Sequence, residues 1–292
     1  MPNTLDKSFL SRSVWKADLF KGKVVFVTGG AGTICRVQVE AMVLLGAKAA
    51  ILGRNLEKTE KAAQEIGQLS DEAGSVLGIG QIDVRNVGDL KKAVERTVQE
   101  FGRIDYVIAG AAGNFIADIT NLSAKAFQSV VAIDLLGSYN TVKAALPELA
   151  KTKGSILFVS ATLHYTGTPF QAHVSAAKAG VDALSNVLAV ELGPLGIRCN
   201  CVAPGAIANT EGMSRLSNGV SLKDVEAKVP LQRSGTTEDI AHATIYLFSP
   251  AASYVTGHVQ VVDGGAWHLG NLMGTAGYPL LLKKQQKIGA KL

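Results

Sequence analysis

The chain has 292 residues, 47% hydrophobic and 18% charged, with 31 glycines and 8 prolines, which excludes intrinsic disorder and allows a large buried core. Its net charge of +5 would ordinarily suggest nucleic acid as a partner, but Lys283, Lys284, Lys287 and Lys291 sit in the last ten residues and no acid follows Asp263, so the body is nearly neutral. No apolar run approaches the ~20 residues that span a bilayer, and residues 1–20 lack the apolar stretch of a secretory signal.

Past an N-terminal extension (1–19), β-branched runs alternate with segments of helical period, the pattern of repeated βαβ units. In chain order, strand 23–27 precedes helix 34–45, strand 47–52 helix 56–69, and strand 76–82 helix 87–101. Strand 104–108 precedes helix 124–146, strand 155–160 helix 171–192, and strand 197–202 helix 237–247, and strand 258–262 closes the series. The runs VVFV and ILFV suit strands covered on both faces. The predicted fold is α/β: a Rossmann-type, doubly wound, parallel seven-stranded sheet with helices on both faces, in a single domain at 20–270. Residues 203–235 are rich in Gly, Pro, Ser and Asn, a connection long enough to suggest a substrate lid. In the tail, 271–292, the apolar stretch 278–282 is expected to pack on the domain or on a neighbouring subunit. Cys35, Cys199 and Cys201 show no C-x-x-C spacing, so buried thiols are expected rather than disulfides or a metal site.

The first strand runs into Thr28, Gly29, Gly30, Ala31, Gly32, Thr33 and Ile34 and then a helix. Such a turn lets backbone amides approach a pyrophosphate whose charge the helix N-terminus favours, although a tight structural turn would use the same residues. The next strand ends at Leu52, Gly53 and Arg54, where dinucleotide folds read the ribose. An NAD site calls for Asp or Glu there, whereas Arg54, with Lys58 one turn later, suits a 2′-phosphate. NADPH is the expected cofactor, and a solvated surface arginine is the plain alternative. Asp83 and Val84 are placed to meet the adenine edge, with Arg85 beside them.

From about residue 20 to 270 the chain resembles the short-chain dehydrogenase/reductase family. The matches are TGGAGTI at 28–34, QIDV at 81–84, AAG at 111–113, SAAKAG at 175–180, RCNCVAPGAI at 198–207 and VTGHVQVVDGG at 255–265. The resemblance implies that Lys178 holds the nicotinamide ribose and that Pro204, Gly205 and Ile207 border the cofactor. The departures are specific. The family's Tyr position holds Val174, its Ser position Ala161, and its helix Asn is Asp134. Thr33 and Cys35 replace two glycines of the phosphate turn. Tyr139 and Lys143 also fit Y-x-x-x-K, but they sit in the helix before the fifth strand with no Ser at the required distance. His173 and Ser175 flank the missing Tyr; alternate helix residues face apart, so structural roles are expected of both.

Within the family the combination is similar to the 2,4-dienoyl-CoA reductases of peroxisomes, on AAGNFI at 111–116, ATL at 161–163, Asp134, and PGAIANTEG at 204–212. That resemblance implies reduction of a 2,4-dienoyl-CoA to a 3-enoyl-CoA, with hydride arriving at C5, charge collecting on the thioester oxygen and the proton going to C2. Asp134 would be the acid/base group acting through water, beside Lys178, or a carboxylate that only orients the lysine. Asn114 would donate to the thioester oxygen and Phe115 line the acyl pocket. Arg85, Arg215, Ser123 and Lys125 are candidates for the CoA phosphates. A homodimer or homotetramer through helices 124–146 and 171–192 is implied. The last three residues, Ala290, Lys291 and Leu292, are a variant of the S-K-L address read by the peroxisomal import receptor. Another 2-enoyl-CoA or carbonyl reductase, or a non-catalytic NADPH-binding protein, are the competing readings.

Overall fold

All residues of β1 (Val24–Thr28) are buried, as a parallel strand covered on both faces requires. The structure, a computed structural model, describes residues 4–216 and 222–270. The apolar stretch 278–282 and the terminal tripeptide lie outside the described residues. β1 pairs on one side with β2 (Lys48–Leu52), which pairs with β3 (Val76–Ile79). On the other side it pairs with β4 (Tyr106–Ala109), followed outward by β5 (Ser155–Val159), β6 (Arg198–Pro204) and β7 (Val259–Val262). All pairings are parallel, giving a seven-stranded sheet in the order β3-β2-β1-β4-β5-β6-β7. The order reverses between β1 and β4, where open α/β sheets place their ligands.

Side chains alternate across the sheet with a period of two. Val25, Val27 and Ile51 face a core built with α2 (Thr33–Leu44) and α10 (Thr237–Phe248). Phe26, Ala50 and Leu52 face the other, built with α4 (Val87–Phe101), α6 (Gly137–Thr152) and α7 (Ala172–Leu192). Helix starts carry their own signals. Asn55 caps α3 (Leu56–Gly67) by accepting from the Lys58 N–H, and Thr236 and Asp239 form a capping box on α10, satisfying N–H groups that a helix start leaves open. Among the described residues no helix is long and apolar enough to cross a membrane.

The structure departs from the sequence reading in three places. The predicted helix 124–146 is α5 (Ala124–Val131) and α6 joined by a π-helical turn, Ala132–Leu136; the apolar period runs through unbroken, so it hides the wider turn. Residues 203–235 contain two short helices, α8 (Glu211–Leu216) and α9 (Leu222–Glu226). Residues 4–19 are no free extension. Phe9, on α1 (Ser8–Arg12), is fully buried and stacks on His242 at 5.5 Å. Trp15 Nε1 donates to His242 Nδ1 at 2.7 Å, and the Leu5 N–H donates to Glu40 at 2.7 Å.

Candidate active site

A cavity of about 410 Å³ opens at the ends of β1 and β4. Its floor is the glycine turn, with Gly29, Ala31, Gly32, Thr33 and Ile34 in the wall. Gly29 has φ +73°, and a Cβ there would lie 2.9 Å from the Gly110 carbonyl oxygen, so glycine is required by both backbone and space. Gly30 turns the other way: its Cβ would meet Ile51 at 2.6 Å. It lets the turn pack on β2 and lies outside the wall, contrary to the cofactor contact expected of it. Cys35, one of the two residues that replace family glycines here, packs against Gly110. Cys35 Sγ occupies the space in which a Cβ at Gly110 would come within 2.2 Å, so a glycine lost on α2 is matched by one on β4's end. Burial pushes the Cys35 thiol up to about 12, leaving it a neutral packing group. Cys199 and Cys201 are also free and buried.

Arg54 and Lys58 stand at the cavity's β2 side, with Asp83 and Val84 beside them. A side chain at Gly53 would strike Thr59 Oγ1 at 2.4 Å, so the position before Arg54 packs tightly against α3. Asn140 on α6 donates to the Val84 carbonyl at 3.0 Å and fixes that side of the cavity. Arg85 grips Asp83 through Nε at 2.9 Å and Nη2 at 2.5 Å, and these bonds hold the Asp83 carboxyl below its ordinary range. Arg85, expected at the CoA phosphates, is thus paired with Asp83 and half-exposed. Thr210, Glu211 and Gly212 bring the α8 end of the predicted lid into the wall, where Glu211 meets Lys58 at 3.3 Å. Pro204, Gly205 and Ile207 do not line the cavity. Gly205 packs against Asp263, and buried Ile207 bridges to Gly235. A larger cavity, about 460 Å³, lies beyond β7. Its acids are committed, Asp239 to Arg233 and Asp263 to the Gly265 and Trp267 N–H groups.

Asp134 lies in the π-helical turn and Lys178 on α7, 0% and 6% exposed. Asp134 Oδ1 accepts from the Gly113 N–H at 2.7 Å, while Oδ2 stands 3.2 Å from Lys178 Nζ. Lys178 also donates to the Val159 carbonyl at 2.9 Å. The extra residue per turn of a π-helix is a common way to aim a functional side chain. The Tyr139 and Lys143 pair is exposed on α6, away from this constellation.

Asn114 Nδ2 donates to Gln171 Oε1 at 2.7 Å, and Gln171 Nε2 donates to the Phe115 carbonyl at 3.3 Å. The expected donor is therefore held by Gln171, and Asn114 Oδ1 is the buried atom left without a partner. No spacing in the sequence pointed to Gln171. Phe115 is 38% exposed and meets the ring of His173 edge-on at 4.3 Å. Ser123 caps α5 by accepting from Ala126, and Lys125 points to solvent. Arg215 lies on α8, and its side chain is outside the described residues.

A family model described as Enoyl-(Acyl carrier protein) reductase matches residues 29–267. The peroxisomal 2,4-dienoyl-CoA reductase of Saccharomyces cerevisiae, described as (3E)-enoyl-CoA-producing, is 64% identical over 282 residues, covering 97% of each chain. The peroxisomal 2,4-dienoyl-CoA reductase of Danio rerio, with the same product, is 42% identical over 87% of this chain and 84% of its own. Among solved structures, a short chain dehydrogenase from Bacillus anthracis aligns with a TM-score of 0.76 at 37% identity, over 87% of this chain and 99% of that one.

Proposed function

The chain belongs to the short-chain dehydrogenase/reductase family, and from that premise we propose that it reduces 2,4-dienoyl-CoA esters to 3-enoyl-CoA in the peroxisome. The observation that carries this reading is the buried Asp134–Lys178 pair in a site whose Tyr and Ser positions hold Val174 and Ala161. A carbonyl reductase must protonate oxygen as hydride arrives. A dienoyl thioester needs its oxygen stabilised and a carbon protonated, so a carboxylate beside an ammonium suits it better than a phenol.

The family's nicotinamide cofactor fits this chain as NADPH. Gly29 and Gly32 leave open backbone for a pyrophosphate, and Arg54 and Lys58 supply cations for a 2′-phosphate. When bound, the cofactor supplies the hydride. Lys178, already anchored on Val159, keeps a proton for the nicotinamide ribose and places positive charge beside Asp134. Asp134 is the acid/base group that, acting through a water, directs a proton to C2. Hydride at C5 and a proton at C2 leave the remaining double bond between C3 and C4, which balances the reaction.

The CoA moiety, in this reading, crosses the mouth between the 203–235 segment and the α5 start. Import through Ala290–Lys291–Leu292 is part of the proposal, and a tagged chain lacking these residues should lose its punctate distribution. Incubating the protein with NADPH and, separately, a 2,4-dienoyl-CoA, a 2-enoyl-CoA and a ketone tests the reading. Only the dienoyl ester should drive rapid cofactor oxidation; turnover confined to either other substrate would overturn it. Arg54→Ala should raise the KM for NADPH about tenfold, the loss of one charge-assisted contact, and leave that for NADH unchanged.

A further inference from the structure

Buried polar side chains are hydrogen-bonded in the large majority of cases, so unpaired ones mark a place that something else completes. Such a place lies beside the Asp134–Lys178 pair. Asn114 Oδ1 and both ring nitrogens of His173 are buried without a partner, and Asp134 Oδ2 faces Lys178 without a hydrogen bond. These groups are contiguous. Gly113 binds Asp134, Asn114 follows it, and the Phe115 ring lies against His173.

His173 is fully buried in the first turn of α7, one residue before the position of the missing Tyr. Burial holds its imidazole below the ordinary histidine range, against weaker opposing pulls from Asp134 and from the Phe115 backbone, which approaches the ring without meeting hydrogen-bond geometry. Near neutral pH it therefore carries one N–H donor and one acceptor. Of the other donors here, Lys178 already donates to Val159 and faces Asp134, with its remaining N–H assigned to the nicotinamide ribose, and the Asn114 amide spends one of its two N–H groups on Gln171. Ser160 and Ser175 also have unpaired hydroxyls. Ser160 lies just past the end of β5 and Ser175 on α7, and neither hydroxyl is hydrogen-bonded to this group.

We propose that His173 contacts the substrate: its N–H donates to the thioester carbonyl oxygen, the oxyanion-stabilising contact that Val174 and Ala161 cannot make. The proposal rests on the dienoyl-CoA reading. An unpaired imidazole is costly in the free protein, and substrate binding relieves that cost at the atom where charge develops. A donor fixed before charge arrives needs no reorganisation during the reaction.

His173→Phe keeps a ring against Phe115 and removes the donor. With a 2,4-dienoyl-CoA its kcat should fall about 100-fold, as for loss of an oxyanion donor, with NADPH affinity within about twofold of the parent. His173→Gln, which restores an N–H, should recover part of that loss. An unchanged kcat in His173→Phe, or a loss matched by weakened NADPH binding, overturns the assignment. Should neither variant fold, the ring nitrogen signals of ¹⁵N-histidine-labelled parent protein decide. Addition of a dienoyl-CoA with NADP⁺ should shift those of His173, and no shift refutes the contact. If the parent itself does not reduce dienoyl-CoA, the functional reading fails and this inference with it; an active parent with an equally active His173→Phe removes the inference alone.

Discussion

Asp134 holds its place through three neighbours: the Gly113 N–H, the Lys178 ammonium and the π-helical turn that carries it. Asp134→Asn keeps the volume and removes the acid/base group, so kcat with dienoyl-CoA should fall about 100-fold or more, the range for general acid–base groups. Near-normal turnover in Asp134→Ala would leave the carboxylate a positioning role only. This pair could be read from the sequence because Lys178 sits in a recognisable segment and Asp134 replaces a family residue. Gln171, the Gly113 amide and the Val159 carbonyl could not, because backbone groups and a lone amide carry no spacing signal. His173 was visible but set aside on helix geometry alone; only its complete burial without partners gives it weight.

The contact between α2 and the end of β4 depends on a size match across Cys35 and Gly110. Gly110→Ala should destabilise the protein by about 1–3 kcal/mol through overpacking and weaken NADPH binding. Adding Cys35→Gly should restore much of both, which a double-mutant cycle in urea would measure. Phe9→Ala, far from the cavity, should lose about 3 kcal/mol by the same assay as a fully buried aromatic is removed. Its kcat should stay unchanged. That segment escaped sequence reading because α1 has only five helical residues, too few to display a period. Helix α10 adds a pH response. Burial raises the Asp239 carboxyl, but hydrogen bonds from Arg233 and Thr236 outweigh it and hold it at about 2, below the ordinary 3.8. A depressed folded value stabilises fully above the unfolded one and is lost as pH falls through the folded one. Asp239→Asn should lower Tm at pH 6, and the difference should shrink between pH 4 and 2, the values flanking about 3.8 and about 2.

Across the molecule, strand order and the cavity's position follow from the alternating βα pattern, since the strands read as continuous apolar runs and the glycine turn falls where the order reverses. The family resemblance implies assembly through the outer helices and leaves dimer or tetramer open. Leu136, Tyr139, Val187 and Val190 are exposed on the two helical segments proposed for assembly, Val190 at 78%. A homo-oligomer would cover them, and light scattering on Val190→Glu should show a smaller species than the parent. The central claim is that the proton reaches C2, leaving a 3-enoyl product. Running the reaction with NADPH and a 2,4-dienoyl-CoA in D₂O, quenching early and locating deuterium by NMR tests it most directly. The account predicts one deuterium at C2 and a double bond between C3 and C4; deuterium at C4 with a 2-enoyl product would contradict it.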